Sequence, residues 1–362
     1  MTAAVRACDR CLSRSWLLAR LAGHLDLVRG RIEPVLRLDD EELITAVAGK
    51  QQDAVRRQRS ALDVGGLRRT AASAGVHSIC RCDPEYPARL ALAPSRPAVL
   101  YVSGGLKRFL ELMAGEPVAI VGARRASAYG LEVARSLGRG LGCAGITVLS
   151  GMALGIDSAA HAGALAAGAP TVAVLPGGAD RPYPPSRRSL LRQIQTHGAA
   201  VSELPPGANA WRWAFPARNR IIAGLSAMTV VVEAGERSGA LLTAAFANDL
   251  SRAVGAVPGR VSAPLSHGPL GLLADGAQLV RGPQDVLDQL YGAGVRSAPR
   301  DDRPELSSEL GVLLAAIAEG HDSAASLAQA GFAAERCLGA LVSLELAGYV
   351  RRAPGGRFVV VP

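Results

Sequence analysis

The sequence predicts an α/β protein with a doubly wound parallel sheet, a small helical domain before the sheet, and a domain of three helices and a hairpin after it. Two observations support this prediction. Short apolar runs alternate with helical segments through the middle of the chain, which is the rhythm of repeated βαβ units. The segments on either side of that region lack this alternation and are mainly helical.

Residues 1–80 are predicted to form the small helical domain, of helix–hairpin–helix or SAM-like type. Leucines recur at helical spacing in Ser15–Leu27, and Asp39-Asp40 suits the amino end of a helix that continues to Val47. A further helical pair, Leu62–Ala74, is interrupted by Gly65-Gly66.

Four of the six cysteines fall in two close pairs, Cys8-x-x-Cys11 and Cys80-x-Cys82. Together they would supply four thiolates to a zinc ion. The second pair is spaced more tightly than the usual zinc knuckle. We therefore interpret these cysteines as inert thiols, and we expect no metal and no cofactor.

Residues 81–290 are predicted to form an extended Rossmann-like domain. Its first part, Asp83–Glu116, is a proline-punctuated connector with an edge strand at Val99–Val102. Parallel strands are predicted at Val118–Val121, Thr147–Leu149, Thr171–Leu175, Ala199–Val201, Met228–Val232 and Ala253–Val257. Helices are predicted at Ala128–Leu141, Asp157–Ala167, Pro185–His197, Ala217–Leu225 and Ala240–Leu250. The β-branched run in Met228–Val232 is typical of a strand covered on both faces.

Residues 291–305 are rich in Gly, Ala, Ser, Pro and charge, which predicts a linker. Residues 306–362 are predicted to fold as a winged helix, because three helical stretches precede a hairpin around Pro354-Gly-Gly356. This domain carries four arginines that fit either phosphate contacts or a solvated face, Arg336, Arg351, Arg352 and Arg357.

The net charge of +9 favours an anionic partner such as nucleic acid. This support is weak alone, because only Lys50 and Lys107 are lysines and the arginine excess accompanies a general compositional bias. Arginines interrupt the only early apolar stretch, so no signal peptide is expected. Six cysteines without a secretory signal indicate a reducing compartment. We expect a cytoplasmic protein that does not insert into membranes.

The candidate site lies where the predicted strands end and the next helices begin, which is where open parallel sheets bind ligands and where helix amino ends bind anions. After the first parallel strand, Gly122 permits a tight turn, Arg124 projects toward the ligand, and Ser127 caps the helix that contains Gly130. The segment contains neither the G-x-G-x-x-G dinucleotide fingerprint nor the P-loop pattern.

Small residues also follow the second parallel strand, at Ser150, Gly151 and Gly155. Asp157 and His161 lie one helical turn apart at the start of the next helix. A catalytic dyad is conceivable there, but no nucleophile is in register. We therefore interpret the two as a structural pair.

Arg218 and Arg220 are predicted in the first turn of a helix, where cations oppose the helix dipole, and this indicates an anionic ligand. They lie about 200° apart around the helix, so both cannot face one phosphate. We expect one to contact the ligand and the other to pair with a carboxylate such as Glu233 or to brace the fold. Phe215 fits either base stacking or core packing.

The next strand and helix complete the predicted site. Ser238 is placed to cap a helix that begins at Ala240, after the turn that ends in Gly239. Thr243 lies in the first turn of that helix.

The central half of the chain resembles the bacterial DNA-processing protein A, or DprA/Smf, family. The resemblance is carried by VAIVGARRASAYG (118–130), SGMALGIDSAAHAGAL (150–165), TVAVLPGG (171–178), FPARNRIIAGLS (215–226), EAGERSGALLTA (233–244), AVPG (256–259) and, more weakly, GAQLV (276–280). It implies a dimer that binds and protects incoming single-stranded DNA and helps load the RecA recombinase during natural transformation. It also implies no catalytic activity.

By position, the resemblance implies phosphate contacts from Gly122 and Arg124, from the Arg218-Asn219-Arg220 run, and from the Ser238-Gly239 turn. Relatives often carry lysines around the DNA pocket, and arginine takes their place here. Arginine keeps the charge and adds a planar fork of donors. On this interpretation Glu233 is the partner of an arginine. Alanine at Arg124 or Arg218 should lower both the affinity for DNA and its salt slope while leaving the fold intact.

A Rossmann-like phosphoribohydrolase of the lysine-decarboxylase-like type is the alternative, with Glu233 as general acid or nucleophile. Such enzymes also use a glycine turn, an arginine and a glutamate after a buried strand. Their P-G-G-x-G-T signature is missing, since Pro176-Gly-Gly178 continues into Ala-Asp-Arg-Pro.

Overall fold

A mixed nine-stranded sheet organises the protein, in a computed structural model that describes residues 6–298, 306–318 and 320–361. The strands are β1 (His77–Cys80), β2 (Val99–Ser103), β3 (Val118–Val121), β4 (Val148–Ser150), β5 (Thr171–Val174), β6 (Ala199–Ser202), β7 (Met228–Val231), β8 (Ala253–Ala256) and β9 (Gln278–Leu279). Their spatial order is β1-β2-β6-β5-β4-β3-β7-β8-β9. The strands from β6 to β9 in this order are mutually parallel, which confirms the predicted doubly wound sheet.

The other edge of the sheet differs from the prediction. β2 is not an edge strand, because it pairs antiparallel with β6 on one side and with β1 on the other. The edge strand is β1, so the sheet starts inside the range that we assigned to the helical domain. Sequence periodicity did not separate this four-residue strand from the helices before it, because short apolar runs are ambiguous.

Helices cover both faces of the sheet. They are α7 (Ala88–Ala91), α8 (Leu106–Ala114), α9 (Ala128–Cys143), α10 (Ile156–Ala166), α11 (Arg188–His197), α12 (Ala214–Leu225), α13 (Gly239–Asp249), α14 (His267–Ala274) and α15 (Pro283–Tyr291). Alternate residues of β3 point to opposite faces, as strand geometry requires. Ala119 and Val121 join the core under α8, α12 and α13. Val118 and Ile120 join the core under α9, α10 and α15.

A helical unit precedes the sheet, comprising α1 (Asp9–Arg20), α2 (Ala22–Leu27), α3 (Ile32–Arg37), α4 (Asp40–Val47), α5 (Gln52–Ser60) and α6 (Val64–Ser73). The amino end of α4 is closed by a capping box in which Asp39 and Glu42 bond each other's backbone N–H groups, as the acidic start predicted. Trp213 and Ala214, at the start of α12, belong to the apolar core of this unit.

The last described elements are α16 (Ser308–Ala318), α17 (Ala324–Gln329), α18 (Ala334–Leu346) and the antiparallel hairpin of β10 (Val350–Ala353) and β11 (Arg357–Val360). Three helices and a hairpin confirm the predicted winged helix. Part of the predicted linker, residues 299–305, lies outside the described residues.

Three of the four arginines noted in the winged helix form ion pairs. Arg351 Nε lies 3.0 Å from an oxygen of Glu132 on α9, so one of these pairs joins the winged helix to the sheet domain. Arg352 pairs with Glu345, and Arg357 pairs with Asp322. Across the described ranges, no helix combines the length and the apolar character that a bilayer crossing requires.

Candidate functional site

A crevice of about 350 Å³ opens at the carboxyl ends of β3, β4 and β7, against α12 and the amino end of α13. The structure brings together here many of the predicted site residues, namely Gly122, Arg124, Asp157, Phe215, Arg218, Asn219, Ser238, Gly239 and Thr243. The others, Ser127, Gly130, Ser150, Gly151, Gly155, His161, Arg220 and Glu233, lie beside or beneath this crevice rather than on its wall.

The turn between β3 and α9 is held by a serine and a glutamate. Ser127 Oγ accepts a hydrogen bond of 3.0 Å from the Gly130 N–H and so caps α9, as predicted. Both oxygens of the buried Glu233 carboxylate accept from Ser127, at 2.8 Å from its N–H and 2.5 Å from its hydroxyl. A Cβ at Gly130 would collide with this carboxylate, which explains the glycine.

Among the residues that the structure describes, Glu233 pairs with no arginine, so that expectation was wrong. Its position directly after β7 aims it across the sheet edge at the α9 cap instead. Because both oxygens are engaged by Ser127, the carboxylate acts as a brace for the turn. This geometry does not provide the free general acid or nucleophile that the phosphoribohydrolase alternative needs.

Arg124 and Phe215 form the exposed wall of the crevice. The Arg124 Cζ lies 4.9 Å from the centroid of the half-buried Phe215 ring, within cation–π range. Tyr183 meets the same ring edge-on, with centroids 5.0 Å apart. Our sequence reasoning missed Tyr183. The signal available was an aromatic residue in the loop that follows the third parallel strand.

Arg218 lies at the floor of the crevice and is 6% exposed. Its Nη1 donates hydrogen bonds of 2.6 Å to the carbonyl oxygens of Gly151 and Val174, so it ties the loop after β4 to the end of β5. Because α12 begins at Ala214, Arg218 is in the second turn and not in the first. The predicted conflict with the helix dipole is therefore wrong. The helix starts earlier because Trp213 and Ala214 are buried against the helical unit.

Asp157 and Arg218 form a buried pair of opposite charges. Asp157 accepts hydrogen bonds from the N–H groups of Gly151 (3.1 Å) and Ala153 (3.3 Å). Burial raises the pKa of Asp157, and the Arg218 charge and these N–H bonds oppose that rise. Burial lowers the pKa of Arg218 to about 10, with Asp157 opposing the shift. At neutral pH the Arg218 guanidinium therefore keeps its positive charge.

His161 does not pair with Asp157, and that structural pairing was wrong. His161 Nδ1 lies 2.8 Å from Thr171 Oγ1, and that hydroxyl donates to the Val148 carbonyl oxygen at 2.7 Å, so Nδ1 carries the ring proton. Asp157 turns instead toward the N–H groups of the preceding loop. Burial, reinforced by the Arg218 charge, lowers the pKa of His161 to about 3 and keeps the ring neutral.

The two residues after Arg218 point to other neighbours. Asn219 Nδ2 donates to the Gly239 carbonyl oxygen at 3.0 Å and so holds the start of α13. Arg220 Nη2 contacts both oxygens of Glu203 at 2.7 and 2.8 Å, and both side chains are buried. One arginine of the pair thus has a carboxylate partner, as expected, but the partner is Glu203 and not Glu233. Arg220 is consequently turned away from the crevice.

The remaining predicted residues shape the backbone around the crevice. Ser150 Oγ donates to the Ile120 carbonyl oxygen at 2.6 Å, which joins β4 to β3. Gly155 has φ +80°, a conformation that favours glycine, and a Cβ there would collide with the Ala123 carbonyl oxygen. Ser238 Oγ accepts from the Ala240 N–H at 3.3 Å, which confirms the predicted cap of α13.

Two further arginines extend the positive charge outward from the crevice. Arg125 and Arg237 are exposed in the loops that lead into α9 and α13. Neither forms an ion pair within the part of the chain that the structure describes. We had not singled out either residue, although both lie inside the motifs that we quoted. Together with the helix amino ends, they make an edge suited to anionic groups beside an aromatic ring.

Comparison with known proteins adds two family matches. Residues 77–291 match the family described as DNA recombination-mediator protein A. Residues 297–356 match the DprA winged helix domain. The first match includes every residue of the crevice.

Individual relatives agree with these matches. A DNA processing protein DprA of Mycobacterium tuberculosis is 40% identical over 261 residues, which covers 70% of this chain and 66% of the relative, just under two thirds of its length. The X-ray structure of DNA processing protein A from Streptococcus pneumoniae is 30% identical, with a TM-score of 0.64, and the match covers 78% of this chain and 98% of that one.

A second solved structure is that of DNA processing protein A from Helicobacter pylori, described for its unique single-stranded DNA binding mode. It is 27% identical, with a TM-score of 0.53, and the match covers 59% of this chain and 95% of that one.

Proposed function

This chain belongs to the DNA recombination-mediator protein A family, and from that premise we propose that it binds single-stranded DNA in DNA processing and carries out no catalytic step. The observation that carries the proposal is the crevice at the carboxyl edge of the sheet, where Arg124 and Phe215 line one wall above the buried, charged guanidinium of Arg218. The relative from Helicobacter pylori, described for its single-stranded DNA binding mode, supports the same ligand.

The residues of the crevice suit both the phosphates and the bases of a single DNA strand. Exposed arginines and helix amino ends suit the phosphates, whose contacts supply most of the affinity for any sequence. An aromatic ring suits an unstacked base, since every base has a flat face. Arg218 contributes charge from below while its hydrogen bonds hold the loop after β4, so it acts both on the ligand and on the shape of the crevice.

We further propose that the protein protects incoming single strands during natural transformation and recombination, helps load the RecA recombinase onto them, and acts in the cytoplasm as a homodimer. These roles rest on family membership. They are tested by RecA filament assembly on strands coated with single-strand-binding protein, with and without this protein, and by light scattering for the dimer. A monomer at micromolar concentration, or unchanged filament assembly, would contradict them.

The decisive experiment is a fluorescence-anisotropy titration of the full chain with a labelled oligothymidylate and with a duplex of equal length, at several salt concentrations. We expect tighter binding to the single strand. We also expect a logarithm of affinity that falls linearly with the logarithm of salt concentration, by about 0.7 per phosphate neutralised. Equal binding to the duplex, or no salt dependence, would overturn the proposal. Release of free base from nucleoside monophosphates would overturn its non-catalytic part.

A further inference from the structure

Four cysteine sulfurs meet where the helical unit joins the edge of the sheet. Cys8 and Cys11 lie at the amino end of α1, Cys80 is the last residue of β1, and Cys82 follows in the next turn. The Sγ atoms of Cys8, Cys11, Cys80 and Cys82 all lie within 4.8 Å of one another. The sequence analysis considered this group of four and preferred inert thiols, whereas the fold brings the two pairs together from about 70 positions apart.

We propose that these four thiolates bind one zinc ion in a structural site. Zinc with four thiolates is tetrahedral, with Zn–S distances of about 2.3 Å, which places the sulfurs about 3.8 Å apart. The Cys11 and Cys82 sulfurs are 3.7 Å apart, and the whole cluster lies within 4.8 Å. An iron–sulfur cluster binds its thiolates through two or more irons. The four cysteine sulfurs around such a cluster therefore lie farther apart than the four sulfurs here.

The tight Cys80-x-Cys82 spacing does not count against zinc in this structure. Cys80 ends β1 and Cys82 lies in the turn that follows, where the Asp83 N–H donates to the Cys80 carbonyl oxygen at 2.9 Å. This turn leaves the two sulfurs within 4.8 Å of each other, so both can reach one ion. The spacing that weakened the zinc hypothesis in the sequence is produced here by a strand end and its turn.

The surroundings of the cluster match those of a structural metal site. The Cys8 N–H points at Cys80 Sγ, 3.4 Å away, and such outer bonds orient thiolate ligands. Cys11 and Cys80 are buried, Cys8 is half-buried and only Cys82 is exposed, so the ion would be largely closed off from solvent.

The position of the site indicates a structural role for the ion. Cys8 and Cys11 belong to the helical unit, whereas Cys80 and Cys82 belong to the edge of the sheet, so one ion joins the two. The same junction contains the hydrogen bond of 2.9 Å from the Arg6 N–H to the Ser78 carbonyl oxygen, the ion pair between Arg6 and Asp83, and an apolar core shared by α1 and β2. Zinc at this junction would add its binding free energy to the folded state.

The test is the metal content of the full chain, purified under reducing conditions without chelator from zinc-supplemented culture. We expect about one zinc per chain. Cys82→Ser should lower this content at least tenfold, whereas the control Cys143→Ser, at an exposed thiol on the end of α9, should leave it unchanged. Absence of zinc from the wild-type chain, or full retention in Cys82→Ser, would overturn the proposal.

A second measurement covers the case in which Cys82→Ser does not fold. The wild-type chain, stripped of metal by a thiol reagent and then reduced, is titrated with Co²⁺. A stoichiometric spectrum of tetrahedral thiolate-bound cobalt that added zinc abolishes would support the site. Disulfides among Cys8, Cys11, Cys80 and Cys82, found by mass spectrometry in freshly reduced protein, or cobalt bound only in an octahedral form, would contradict it.

Discussion

The guanidinium group of Arg124 lies over the ring of Phe215, with Cζ 4.9 Å from the ring centroid. The contact occupies a ring face that a DNA base would otherwise stack on. Under the proposed function, a base that takes this face would displace the guanidinium and free it for a phosphate of the same strand. The pair would then couple base stacking to phosphate contact, although the two residues are 91 positions apart in the sequence.

Arg124→Ala tests the phosphate contact. We expect weaker binding of single-stranded oligothymidylate and a salt dependence reduced by about 0.7 in its logarithmic slope, because one fewer phosphate is neutralised. The measurement is fluorescence anisotropy at four salt concentrations. Arg139→Ala is the matched control, since Arg139 is exposed like Arg124 but lies within α9, about 17 Å along the helix from its amino end. An equal loss in both variants would show that general charge, and not this position, matters.

Phe215→Leu tests stacking separately from charge. Stacking of a base on an aromatic ring contributes about 1–3 kcal/mol, so affinity for the single strand should fall about 5- to 150-fold. The salt slope should stay at the wild-type value, because the change removes no cation. Leucine keeps an apolar side chain at this half-buried position, and thermal unfolding checks that the fold is retained. A changed slope with unchanged affinity would contradict this role for Phe215.

Arg220 and Glu203 form a buried ion pair whose rupture should destabilise the fold. Arg220→Met leaves the Glu203 carboxylate buried without its partner, and we expect the free energy of unfolding to fall by about 3–5 kcal/mol. Urea denaturation measures this loss. The double variant Arg220→Met with Glu203→Leu should recover much of it, because no charge then remains buried. If the double variant is as unstable as the single one, the loss comes from packing and not from the unpaired charge.

His161 should make the protein sensitive to acid. Its pKa is about 3 in the folded chain and takes the ordinary value of 6.5 when unfolded, so between these values only the unfolded chain binds the proton. The stability that the neutral ring contributes is present above about pH 6.5 and is lost as the pH falls. The slope from this residue reaches about 1.4 kcal/mol per pH unit.

The check is urea denaturation of the wild type and His161→Leu at several pH values from 7 down to 4.5. We expect the free energy of unfolding of the wild type to fall more steeply than that of the variant. Asp157 has the opposite effect, because a carboxyl group with a raised pKa makes the folded state more stable as the pH falls. Parallel curves for the two proteins would remove His161 as the acid-sensitive group.

Features of the site that depend only on residues close together in the sequence were predictable. Ser127 and Ser238 cap α9 and α13 because an N-cap is decided within about three residues, and both caps are present. Six of the seven parallel strands were located because each is a short apolar run between turn residues. The seventh, β9, was not predicted, because it has only two residues and both are exposed. The gathering of Arg124, Phe215 and Arg218 at one edge followed from the rule that parallel strands end together.

The partners of buried polar groups were not predictable in the same way. Glu233 bonds Ser127, Arg220 bonds Glu203 and His161 bonds Thr171, and each choice depends on the side chain that the tertiary fold places opposite. The early start of α12 has a similar cause, because Trp213 and Ala214 are buried by a helical unit that ends 140 residues earlier in the chain, at Ser73. Periodicity within α12 carries no information about that contact.

The run Arg218-Asn219-Arg220 joins three neighbours at once, since its side chains contact the loop after β4, the start of α13 and the end of β6. Successive residues of a helix are about 100° apart, so each direction is fixed by its place in the run. One residue inserted or deleted before Arg218 within α12 would rotate all three side chains away from their partners together. Insertions and deletions in this family should therefore be rare inside α12 and more frequent in the loops on either side. This expectation does not depend on which ligand the crevice binds.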